Sequence, residues 1–264
     1  MKVFVEGIGI IGPGLNGWLA SKPILAGTAP YIEADMVIPP SNMLPSAERR
    51  RTGLPVKIAL AVGSEAISNA RRNAAELPSI FASSAGDGEN MHNIFDMLAN
   101  NGHEVSPTRF HNSVHNAPSG YWSIATKSMA SSTSLACYDE SFVAGLIEAA
   151  AQVLATQKAV VLIAYDTPYP IPLHERRPIS AAFGTALVLA HDRSDNTLAQ
   201  LDINILRNGK PCSPIAENRL EFLRVTSPAA RSLPLLAALA KRSTANICLE
   251  YIAGNQVEVA VKPC

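Results

Sequence analysis

The residues in this chain with chemistry to offer are four cysteines, six histidines and a few clusters of charge. Cys137 stands out, in the run Leu135-Ala136-Cys137-Tyr138-Asp139-Glu140. It falls between a strand of small residues and an apolar helix, a junction where an elbow would present a nucleophile to a helix N-terminus. The two acids that follow work against that use. They raise a thiol's pKa, whereas at the start of a helix they are simply favourable caps. A buried, inert thiol is the preferred reading.

Other clusters are weaker. His111 and His115 stand at i and i+4 in Phe-His-Asn-Ser-Val-His-Asn, a spacing that binds zinc when both lie on one helix. Asn and Ser fill the gap, no Glu is at hand, and the run reads as a loop before a helix, so no metal is expected. Gly7, Gly9 and Gly12 satisfy G-x-G-x-x-G after a strand. Pro13, Gly14, Asn16 and Gly17 follow at once, so no helix starts where a pyrophosphate would need one, and a tight strand-to-loop turn is expected. Glu48-Arg49-Arg50-Arg51 reads as a solvated charged face or as a contact for an acidic partner.

These residues sit in a chain of 264, with 22 Lys+Arg against 22 Asp+Glu. The hydrophobic share of 47% and the charged share of 17% mark a globular chain able to bury a large core. Zero net charge argues against nucleic-acid binding, which demands a basic surface. So low a charged fraction suggests that part of the surface is covered by another subunit. The cysteines form no CxxC pair, so neither a zinc module nor a disulfide framework is expected and a reducing compartment is the default. No secretory signal is read at the N-terminus, and no apolar run reaches about 18 residues, so no membrane span is expected. The expected location is the cytoplasm.

The elements that must hold the candidate residues follow from periodicity. Lys2 to Ile11 reads as a buried strand, and Pro55 opens a helix with Ile58, Ala61, Val62, Ala66 and Ile67 on one face. Residues 79–84 read as a strand; 90–98 as a helix with Met91, Ile94, Phe95 and Leu98 in phase; 116–129 as a helix. Ser132 to Ala136 reads as a strand, 141–155 as a helix and 159–164 as a buried strand. After a proline-rich break come strands at 183–190 and 198–206, a helix at 233–241, and a hairpin of 247–252 and 257–262 about Gly254-Asn255. Strands alternating with helices imply α/β layers.

Several of these segments resemble the β-ketoacyl synthases of the thiolase-like fold. The opening KVFVEGIGIIGPG resembles their first strand. Residues 106–120, SPTRFHNSVHNAPSG, look like the segment before their active-site strand and are the most specific motif. Residues 134–166 look like their strand, nucleophile turn, long helix and buried strand, and FGTALVL at 183–189 like the strand opening their second half. The resemblance implies a thiolase-like layered α/β/α/β/α fold with a shortened C-terminal half. It implies one domain over 1–264, with a ketosynthase-like half at 1–166 and an abbreviated half at 183–264.

Two departures shape the functional expectation. With Leu146-Ile147 and Ala150-Ala151 in register with the family's helix, the nucleophile position falls on Glu140, which cannot form a thioester. The two histidines that the family draws from its C-terminal half are also missing from any recognisable motif. The chain is therefore similar to a chain length factor, the silent subunit that pairs with an active β-ketoacyl-acyl-carrier-protein synthase in type II polyketide and aryl polyene systems. The resemblance places the dimer interface at Ser132, Thr133, Ser134, Leu135 and Ala136. It places Phe110, His111, Asn112, Ser113, Val114, His115 and Asn116 near that interface and the acyl tunnel. No cofactor or metal is implied, and no catalytic residue. Two alternatives remain: a stand-alone acyltransferase using Cys137, and a docking module that holds acyl carrier protein through Arg49, Arg50 and Arg51.

Overall fold

The structure is a computed structural model, and the residues it describes are 1–40, 42–100, 104–207 and 211–264. The strands are β1 (Lys2–Gly12), β2 (Leu15–Asn16), β3 (Ser79–Ala82), β4 (Ser132–Leu135), β5 (Val160–Asp166), β6 (Phe183–Ala190), β7 (Ala199–Leu206), β8 (Ala245–Glu250) and β9 (Gln256–Pro263). The helices are α1 (Trp18–Leu25), α2 (Ser46–Arg51), α3 (Leu54–Ala70), α4 (Gly88–Asn100), α5 (Pro107–His111), α6 (Ala117–Thr126), α7 (Ser141–Thr156), α8 (Leu173–Arg176), α9 (Asn218–Thr226) and α10 (Leu233–Lys241). Among the described residues, these strands join one mixed sheet in the order β4-β3-β5-β6-β1-β7-β9-β8, with β2 beside β1. β3 runs parallel to β4 and β5; the other pairings are antiparallel.

Strand alternation builds two cores. On β5, Val160, Leu162 and Ala164 face one side, where Phe142, Leu146 and Val153 of α7 cover them. Val161, Ile163 and Tyr165 face the other, under Ile58, Val62 and Ala66 of α3 and Trp122 of α6. Being covered on both faces explains why β5 and β6 read as unbroken apolar runs. Beyond β1, β7 and β9 alternate: Leu201, Ile203, Val257, Val259 and Val261 join the core beneath α10. Asp202 and Lys262, paired at 2.8 Å, lie on the uncovered face.

Three expectations change. Gly7 and Gly9 lie within β1, not at a turn, and only Gly12 borders the β1–β2 hairpin. A Cβ on Gly7 would stand 2.0 Å from the Ala66 carbonyl oxygen and one on Gly9 2.1 Å from that of Val62, so both glycines let α3 press onto the sheet. Of the face expected on α4, only Ile94 is buried, while Phe95 is 60% exposed. The terminal hairpin spans Ala245–Glu250 and Gln256–Pro263, joined through a 3₁₀ turn at Ile252–Gly254. α1 escapes sequence reading because Pro23 sits inside it.

Candidate functional site

Edge strand β4 delivers the chain through Ala136 into the four-residue turn Cys137-Tyr138-Asp139-Glu140, and α7 begins at Ser141. Tyr138 forms the apex in the left-handed region at φ 51°, a conformation costly for an aromatic residue unless its surroundings hold it. Ser141 supplies the bracing. Its buried hydroxyl accepts the Cys137 N–H at 2.9 Å and donates to the Tyr138 carbonyl at 2.7 Å. Glu140 occupies the N-cap position of α7 without a side-chain capping bond.

The acidic side chains point into a charge network. Arg231, from the 3₁₀ segment Pro228–Ser232, donates to Asp139 at 3.0 Å, Glu140 at 3.2 Å and Glu250 at 2.7 Å. Arg177, just past α8, donates to Asp139 at 2.8 Å and to the Ser84 hydroxyl at 2.6 Å. Its guanidinium also stacks 3.5 Å from the centre of the Tyr138 ring. Asp139 thus bridges two arginines, and both acids beside the thiol are engaged as counter-ions.

Cys137 gains nothing from this arrangement. Burial pushes its thiol pKa up, and the Glu140 carboxylate pushes it further. The histidine to which the segment's geometry gives a role is His115, whose Nε2 meets the Ser83 carbonyl oxygen at 3.1 Å. None of the hydrogen bonds and ion pairs of the turn among the described residues involves an imidazole. His111 ends α5 and His115 lies beyond it, so the two do not share a helix as a zinc pair would. Among the described residues no group of three His, Cys, Asp or Glu side chains is placed to hold a metal.

The segment 110–116 divides by facing. Asn112 is buried; it donates to the Arg51 carbonyl at 2.8 Å and accepts the Tyr121 hydroxyl at 2.9 Å. The Ser113 hydroxyl donates back to the Phe110 carbonyl at 2.8 Å. Phe110, His111, Val114 and Asn116 instead line an open groove of about 610 Å³ with Tyr121 and Ile124 of α6. Phe110 is 69% exposed and Val114 53%, a large apolar surface for side chains in contact with water. α6 also touches the sheet edge, where the Ser119 hydroxyl lies 2.8 Å from that of Ser132.

β4 is that edge. The Ser79 and Ser83 N–H groups donate to the Ser131 and Leu135 carbonyls, so the odd-numbered residues of β4 face β3. Ser132 and Ser134 therefore turn their backbone N–H and C=O outward, the pattern that invites another strand. The basic run maps to short helix α2. Arg51 pairs with Glu48 at 3.3 Å, Arg49 donates to Asn42 at 3.2 Å, and Arg50 and Arg51 line a polar cleft of about 370 Å³ with Asp87, Glu89 and Arg109.

Arg177, Arg231, Ser84 and Glu250 were invisible to sequence reasoning. The two arginines lie 38 and 92 residues along the chain from Asp139, and Ser84 and Glu250 partner those arginines from still other parts of the chain. The one available signal was indirect: two adjacent acids at the start of an apolar helix require counter-charge from elsewhere.

Residues 26–246 match the β-ketoacyl synthase N-terminal domain, and the chain belongs to that family. Its fold is thiolase-like, as three solved assemblies show. A structure of the ketosynthase ApeO in complex with its chain length factor ApeC, from Xenorhabdus doucetiae, is 20% identical with a TM-score of 0.74, covering 98% of this chain and 99% of that one. The ishigamide ketosynthase/chain length factor is 13% identical with a TM-score of 0.72, over 100% and 99%. AntDE:AntF, a type II polyketide acyl carrier protein in complex with its ketosynthase, is 13% identical with a TM-score of 0.75, again over 100% and 99%. No curated protein matches the chain. Among the described residues no helix is long and apolar enough to cross a membrane.

Proposed function

We propose that this chain is a non-catalytic chain length factor: a subunit that pairs with an active β-ketoacyl-acyl-carrier-protein synthase and shapes its acyl tunnel. One observation carries the reading. At the turn where the family places its nucleophile, Asp139 and Glu140 are committed to Arg231 and Arg177, and the neighbouring thiol is held protonated. Acyl transfer needs a thiolate and a base to activate it, and this turn supplies neither. Glu140 is a counter-ion and helix-start residue in this account, and Cys137 is a bystander.

The partner is a ketosynthase, bound as a heterodimer. Support comes from the outward-facing groups of Ser132 and Ser134 and from the adjoining apolar groove at Phe110, Val114 and Ile124. A strand added at β4 would continue the sheet, and the groove would lie beside it as a tunnel wall. The substrate class is a growing acyl chain of polyketide, aryl polyene or fatty-acid-like type, carried by acyl carrier protein, in the cytoplasm. Arg49, Arg50 and Arg51 are the proposed contact for that acidic carrier.

Co-expression with a full-length β-ketoacyl synthase, followed by size-exclusion chromatography, tests the assignment. The two chains should co-elute and form product, with Cys137→Ala without effect on either. Ser134→Pro removes one outward N–H and should abolish co-elution while the far-ultraviolet spectrum stays native. Two separate monomers, with synthase activity indifferent to this chain, would refute it.

A further inference from the structure

Asp166 closes β5 with its side chain wholly enclosed, and nothing in the proposed function uses it. Its Oδ1 accepts the Ser84 N–H at 2.7 Å and the Ser83 hydroxyl at 3.2 Å, while Oδ2 has no hydrogen-bond partner. Several groups face this carboxyl. Its neighbour on β5, Tyr165, points to the opposite face of the strand; its buried hydroxyl also lacks a partner, and its ionisation is opposed first by burial and then by Asp166 and Asp87. The chain after β3 contributes Ser83, Ser84 and, further out, Asp87. The 3₁₀ segment before α10 aims the Ala229 N–H at the carboxyl without completing a bond. The stretch past α8 contributes Arg177, the cation that acts on Asp166. Beyond Arg177 stand Tyr169, Asp139 and Tyr138, then Arg231, Glu140 and Glu250. Burial drives the Asp166 pKa up to about 7, against the pull of the donated hydrogen bonds and of Arg177.

Ser84 is the joint between core and surface. Its N–H donates inward to Asp166 and its hydroxyl accepts Arg177 at 2.6 Å. Arg177 then holds the turn twice over, through Asp139 and through the Tyr138 ring. Tyr138 is 62% exposed in its left-handed conformation, so the stack and the bracing of Ser141 are what fix it.

We infer that Asp166 is the proton-binding end of a relay, Asp166–Ser84–Arg177–Tyr138, through which one proton in the core resets the exposed turn before α7. With Asp166 neutral, Arg177 belongs to Asp139 and Tyr138. When Asp166 releases its proton to solvent, the enclosed charge draws Arg177 inward and the stack on Tyr138 loosens. The relay operates within the isolated chain and does not depend on the proposed partner.

The test is a fluorescence titration of Tyr138→Trp in the full chain, from about pH 5.5 to 8.5, with Tyr138→Phe subtracting the native tryptophans. One transition centred within about one pH unit of 7 is expected. It should vanish in the double variant with Asp166→Asn and lose at least about half its amplitude with Ser84→Ala, which cuts the link but keeps the acid. A flat titration of Tyr138→Trp, or a transition unchanged by Asp166→Asn, would overturn the relay. Should Asp166→Asn fail to fold, an unchanged amplitude in Ser84→Ala overturns it alone.

Discussion

Arg231→Met is the most searching perturbation of the charge network. The arginine is 16% exposed and makes three charge-assisted hydrogen bonds, to Asp139, Glu140 and Glu250. Such bonds are each worth about 1.5–3 kcal/mol when both partners are dry. These partners are not. Glu250 is 51% exposed, and its contact with Arg231 falls in the surface range of about 0–1 kcal/mol. Asp139 keeps Arg177 after the substitution, so the group left without a cation is Glu140, 20% exposed. The expected loss is therefore about 2–3 kcal/mol, below the figure of about 3–5 for a fully buried pair. For a chain of this size that is a fall in Tm of about 4–5 °C. Urea unfolding at low and at about 1 M salt measures it, the loss shrinking as salt screens the pairs. Adding Glu140→Gln to Arg231→Met should restore about 1 kcal/mol by removing the stranded charge. A loss below about 0.5 kcal/mol, with no coupling to Glu140→Gln, would refute the claim that this network holds the turn.

Two further outcomes follow from the packing and the buried acid. Gly9→Ala forces a Cβ to 2.1 Å from the Val62 carbonyl oxygen, so α3 must lift from the sheet; urea unfolding should show a loss of at least about 3 kcal/mol or no soluble protein. Asp166 should make the isolated chain less stable as pH rises from about 4 to 7, because its folded pKa of about 7 lies above the unfolded value, so the native state keeps a proton that the unfolded state has already released. The full cost is on the order of 4 kcal/mol, complete above pH 7, and unfolding curves of Asp166→Asn should lack that slope.

The sequence by itself determined most of the frame. β5 and β6 announced themselves as unbroken apolar runs because they are covered on both faces, and α7 and α10 because their apolar residues repeat at helical spacing. The motif at 106–120 and the stretch 134–166 carried the family, since strand, turn, helix and strand follow one another in the chain without long-range help. Cys137 beside two acids was legible as an unpromising thiol for the same local reason. What lay beyond one or two elements was decided by tertiary structure. The purpose of Gly7 and Gly9 is the approach of α3, which no residue near them reports. Glu6 is a charge inside an otherwise apolar strand, and its partners lie far along the chain. It sits at a register shift in β1 and takes two 2.8 Å bonds from Arg72 and one of 2.6 Å from Ser194. The arginines that neutralise Asp139 and Glu140 come from 38 and 92 residues further along the chain than Asp139, and Asp166 connects to them through a serine 82 residues before it. Hydrophobic period is a local property written along the chain, whereas an ion pair joins groups that only the folded sheet brings within a few ångströms of each other.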